Sequence, residues 1–250
     1  ILVFLSAFIG LIIKLPTGNL GVASEFFAGS LDFPLVDGLA MILFSAWLVK
    51  SLYLWKVKKF DRWQIYFPGI LFFGAFIFVA LASVSMAGEA WQQSLKYCIR
   101  PIMFFYLMYL VLPYNLIRSR EILQKCLQFF YAAGIISAMI GLVSLFILPA
   151  TGLLRRATPI GFFGVSPLGE NHNLLAEILV AAFPIGMILF RQTKNKWASL
   201  GLILGNMLIL VIALLTFART AWIAIAIEVL IYLVLVYRAE VKRYLKYFII

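Results

Sequence analysis

The chain has 250 residues, of which 64% are hydrophobic and 12% charged, and its mean hydropathy is +1.05. Soluble domains are nearer half apolar and a quarter charged, so a soluble globular fold is excluded. The net charge of +11 must be placed on a membrane topology before it is interpreted, and no nucleic-acid partner is expected.

Ile1–Ile13, ILVFLSAFIGLII, lacks a basic leader and a small-residue cleavage pattern, and reads as a truncated first span. The sequence is accordingly expected to be a piece of a longer protein, cut at both ends. Lys14–Asp32 contains PTGNLG and AGS and reads as a loop or a short interfacial piece. Seven apolar runs follow: Phe33–Trp55, Gln64–Ala87, Gln93–Pro113, Ile122–Pro149, His172–Phe190, Trp197–Thr216 and Arg219–Tyr237. Each is close to the 20 or so residues that a helix needs to cross a bilayer. The expected fold is all-α, a polytopic transmembrane helical bundle of about eight spans. We expect residues 1–250 to form a single membrane domain.

Basic residues set the orientation, because lysine and arginine collect on the cytoplasmic side. Lys50, Lys56, Lys58, Lys59 and Arg62 flank one connection, and Arg118, Arg120 and Lys125 another. Arg191, Lys194 and Lys196 follow, then Arg238, Lys242, Arg243 and Lys246. Eight alternating spans place all four groups on one side, with both chain ends in the cytoplasm.

The remaining cations, Lys14, Lys96, Arg100, Arg155, Arg156 and Arg219, then fall at or near the outer face. Arginine in an outer loop opposes the usual charge bias and points to an anionic ligand. Its planar fork donates paired hydrogen bonds to phosphate while staying charged. The plainer role is contact with lipid headgroups or pairing with Glu170 and Glu89. Arg219 lies between two apolar runs in LLTFARTAWIAIAI, so tightly that it must sit at the membrane boundary or inside it. Ionisable groups at that depth face a polar cavity or a partner, or else snorkel to the interface. Lys96 and Arg100 are four apart, on one helix face, and repel unless an anion lies between them.

The stretch LLRRATPIGFFGVSPLGENHNLLAEI, Leu153 to Ile178, carries the other polar groups, including the only histidine. Glu170, Asn171 and Asn173 have helix N-cap chemistry. His172 is read as a capping or interfacial residue rather than a base, despite a pKa that is near neutral when unperturbed. Asn173 and Glu177 are i,i+4 neighbours able to reach sugar hydroxyls or an arginine. Glu228, midway along the last run, is expected to be buried or paired with a cation on a neighbouring helix. One histidine and no ligand cluster give no metal site, and no cofactor is expected. Cys98 and Cys126 fall near opposite ends of successive spans, too far apart for a bridge.

The order RRATPIGFFGVSPLGENHNLLAEIL, FPIGMILF, LILVIALLTFARTAWIAIAI resembles the membrane core of the O-antigen ligase and polymerase family. Gly161 to Ala176 stands for that family's G-x-F…N-x-x-A stretch, with Asn171 or Asn173 as its asparagine. Thr216, Ala218, Arg219 and Thr220 stand for its T-x-S-R-G/A turn, Ala218 replacing the serine and Thr220 the small residue. The resemblance covers Arg155–Tyr237 by motif and the earlier runs by hydropathy. It implies a metal-independent enzyme of a bacterial inner membrane that takes a glycan from an undecaprenyl-diphosphate carrier at the outer face. The acceptor would be a lipid A core, another repeat unit or another cell-surface glycan. It further implies that Arg219 and Arg155 or Arg156 hold the diphosphate; Lys96 and Arg100, from their shared helix face alone, are the second candidate for a phosphate contact. The family's catalytic histidine lies in a large outer loop further along, and His172 does not match it. A lipid-linked glycan flippase or other transporter, and a non-catalytic partner of envelope synthesis, are the alternative functions.

Overall fold

A computed structural model describes residues 2–5, 8, 12–16, 30–57, 65–91, 94–95, 98, 101–148, 155–161, 166–169 and 171–236. Helices dominate, and five are long and apolar enough to cross a bilayer. This is a multi-pass membrane protein.

The start of the chain departs from expectation. Ile1–Ile13 forms no span among the described residues: Leu2–Leu5 (α1) is a single helical turn, and Ile12–Pro16 (β1) is a strand. Thirteen residues of helix reach only about 20 Å, short of the roughly 30 Å hydrocarbon core. β1 pairs antiparallel with Ser30–Pro34 (β2), in a register running from Ile12 opposite Pro34 to Pro16 opposite Ser30. The ends of the expected loop are therefore joined by a short ladder that pairs the backbone of residues 12–16 with that of residues 30–34.

The chain divides into two compact units, one mainly residues 12–124 and the other mainly residues 125–250. The first long helix of the first unit is Leu35–Lys56 (α2), which continues directly from β2. Ile70–Met86 (α3) starts later than the apolar run because Gly69, at φ 65°, turns the chain just before it. At 17 residues α3 is a shorter apolar helix than the five candidate spans. Next, Pro101–Val111 is a π-helix running into Leu112–Leu116 (α4). The change of register falls beside Pro113, which has no amide to donate. Phe73 of α3 stacks on Tyr106 at 3.6 Å between ring centroids. Buried Asn115 closes this unit: it accepts from the Tyr66 amide at 2.9 Å and donates to the carbonyls of Tyr66 and Val111, each at 2.8 Å.

Arg120–Ile147 (α5) leads into the second unit, followed by His172–Gln192 (α6), Lys196–Leu215 (α7) and Arg219–Val236 (α8). Asn171 and Asn195 cap α6 and α7, their side chains accepting from the amides two residues on. Leu175, Leu179, Ile209 and Ile212 are completely buried at the centre. Tight packing among α5, α6 and α7 depends on small residues. A Cβ on Gly134 would stand 2.3 Å from the Ala182 Cβ, and one on Gly186 would overlap Asn206 and Tyr131. Between lipid-embedded helices such close approach supplies the van der Waals contact that the hydrophobic effect does not.

Candidate functional site

The connection between α5 and α6 is built into the second unit. Ala157 and Leu168 within it are completely buried and belong to the main core. The Ala157 amide donates to the Leu215 carbonyl at 2.8 Å. The Thr158 amide donates to Ser144 Oγ at 3.1 Å, and the Ser144 hydroxyl donates to the Gly141 carbonyl at 2.6 Å. Residues 155–158 are thus pinned between the C-terminal ends of α5 and α7.

This places both arginines. Arg155 Nη1 donates to the Leu145 carbonyl and, at 3.5 Å, to that of Phe146. Arg156 Nε donates to the Thr216 carbonyl at 2.7 Å. The last carbonyls of a helix lack intrahelical partners and carry the negative end of its dipole, so a guanidinium is favoured beside them. Capping does not exhaust these side chains, since a guanidinium has five N–H donors. No carboxylate pairs with Arg155, Arg156 or Arg219 among the described residues.

The turn between α7 and α8 holds the third arginine. Thr216 is completely buried; its hydroxyl donates to the Ala213 carbonyl at 2.7 Å and accepts from the Ala218 amide at 3.3 Å. Phe217 adopts φ 54°, a left-handed conformation that a bulky side chain rarely takes. Trp222 meets the Phe217 ring edge-on, and its indole N–H donates to the Leu214 carbonyl at 3.1 Å. Arg219 then opens α8, exposed.

Ala176 of α6 packs with Ala218 and Ala221. Side chains this small bring the N-termini of α6 and α8 to the same end of the unit. Two positive helix ends therefore share that end with Arg155, Arg156 and Arg219, an arrangement suited to an anion. The α6 terminus is shaped by Asn171, whose Oδ1 accepts from the Asn173 amide at 2.9 Å. Asn171 is thus the cap, and His172 is the first helical residue, half-buried and within electrostatic reach of Arg156.

Arg155, Arg156, Asn171, His172, Asn173 and Arg219 all fall at this end, and Glu177 is exposed one turn into α6. Lys96, Arg100 and Glu170 lie outside the described residues. Sequence reasoning overlooked Ser144 and Thr158. Ser144 carried a signal, as a hydroxyl near the end of an apolar run; Thr158 carried none. The Thr158 hydroxyl oxygen, beside the two arginines in the chain, is buried and has no hydrogen-bond partner among the described residues. Among the described residues no cluster of three or more histidine, cysteine or acidic side chains could hold a metal ion, and Cys98 and Cys126 are free thiols.

No family model, curated protein or solved structure matches this chain.

Proposed function

We propose that the chain is the membrane core of a metal-independent glycosyltransferase acting at the outer face of a bacterial inner membrane. In this reading the seven apolar runs from Phe33 onward alternate, the four lysine- and arginine-rich groups are cytoplasmic, and the end bearing Arg155, Arg156 and Arg219 faces outward. The donor is a glycan on undecaprenyl diphosphate, and the acceptor is a lipid A core or another cell-surface glycan.

The observation that carries the proposal is the hydrogen bond from Arg156 to Thr216. It ties the loop arginines to the turn that presents Arg219, joining cations sixty-three residues apart into one group. During transfer an acceptor hydroxyl attacks the anomeric carbon and the bond from that carbon to the diphosphate oxygen breaks. The electron pair leaves with the diphosphate, whose growing charge the arginines and the two helix N-termini stabilise. The proton of the acceptor hydroxyl goes to a base that the resemblance assigns to a histidine other than His172.

Arg219→Ala and Arg219→Lys in the full-length protein are expected to lose surface glycan while still inserting in the membrane. Lysine fails because it keeps the charge but not the fork. Normal glycan display by Arg219→Ala would remove this residue from the site. Orientation is tested separately with Arg156→Cys in a background lacking Cys98 and Cys126. An impermeant thiol reagent added from outside should label it; labelling only after the membrane is opened would reverse the topology.

A further inference from the structure

At the other end of the second unit, a groove of about 490 Å³ separates α6 from α8. It is lined by Pro184, Ile188 and Arg191 of α6 and by Glu228, Ile231 and Tyr232 of α8. Glu228 is the tenth of eighteen residues in α8, so it lies near the middle of an apolar span. Its Oε2 is buried, and no donor reaches it among the described residues. α8 is also the least covered of the five long helices, with 11% of its apolar window buried against 39% for α6. A buried carboxyl oxygen without a donor in the middle of a spanning helix is costly and marks a missing partner.

We propose that this groove receives a membrane helix carrying a lysine or arginine in its central turns, which pairs with Glu228. Charge complementarity selects the partner: an acceptor oxygen at this depth requires a donor, and a cation meets the requirement best. Arg191, in the last turn of α6, is exposed and lies at the rim, where it serves the interface. Among the described residues a second copy of the chain offers no such cation. Every lysine and arginine in the described spanning helices lies within two turns of a helix end.

The test uses the full-length protein in its native membrane, with a benzophenone amino acid in place of Ile231. Ultraviolet light should join it to a peptide from a membrane span holding a central lysine or arginine. The yield should fall at least fivefold with Glu228→Leu, and several-fold with the isosteric Glu228→Gln. Glu228→Lys should abolish the adduct, and reversing the partner's basic residue to Glu should restore it. Adducts with phospholipid alone, with a second copy of this chain or with a span lacking a central cation would each overturn the proposal. So would a yield that Glu228→Leu and Glu228→Gln leave unchanged.

Discussion

Asn115 in the first unit and Arg156 in the second are both polar groups placed near helix ends in a strongly apolar chain. Asn115 is 2% exposed, and the fold uses its amide on both sides, one bond accepted and two donated. Arg156 is half-buried and, among the described residues, makes one hydrogen bond from a side chain with five donors. The first is a stitch: its bonding capacity is consumed within the protein. The second is anchored by one nitrogen and keeps its terminal amino groups for something else. Saturation, more than burial or charge, separates a structural polar group from one available to a ligand.

That contrast can be broken by substitution. The largest effect is expected from Arg156→Ala, which should lower glycan transfer about 100-fold, as removal of a charge-stabilising donor commonly does. Its thermal stability in detergent should drop by no more than about 1 kcal/mol, the worth of a cation at a helix C-terminus. Asn115→Leu should do the reverse. It leaves the Tyr66 backbone groups unpaired and should cost about 1–3 kcal/mol, with transfer per folded molecule unchanged. Equal losses of activity in the two variants would erase the distinction. Gly134→Leu should also cost about 1–3 kcal/mol through overpacking, because the Ala182 Cβ it meets cannot swing away. The smallest effect belongs to Thr158→Val, which removes a buried hydroxyl that has no partner among the described residues. Its melting should shift by less than about 0.5 kcal/mol while transfer falls several-fold; unaltered transfer would take Thr158 out of the site.

Much of the second unit was legible in the sequence. The runs His172–Phe190, Trp197–Thr216 and Arg219–Tyr237 correspond to α6, α7 and α8 within a few residues. Asparagine at the starts of α6 and α7, and apolar content sustained over about 20 residues, are local signals that tertiary contacts do not override. The first unit was harder. Thirteen apolar residues at the start resemble part of a span, yet Ile12–Pro16 extends into a ladder with residues 30–34, a pairing hydropathy does not encode. The π-helical turns before Leu112 are equally silent, since both helix types present similar apolar patterns.

The site divides in the same way. The arginines stood out because they oppose the charge bias, and Arg219 because its turn is short. Which carbonyls hold Arg155 and Arg156 depends on where α5 and α7 end in space. The burial of Ala157 and Leu168 is likewise a property of the packed unit; in the sequence they read as ordinary loop residues.

The three-residue connection between α7 and α8 has a consequence for how the protein is made. Helices of 20 and 18 residues joined by Thr216, Phe217 and Ala218 leave no slack for one to enter the bilayer without the other. They form a single helical hairpin with the backbone bend at Phe217 as its tip. The depth of Arg219 is then set by the length of α7, at about 1.5 Å for each residue. Adding two residues to α7 would carry the guanidinium roughly 3 Å along the axis of that helix.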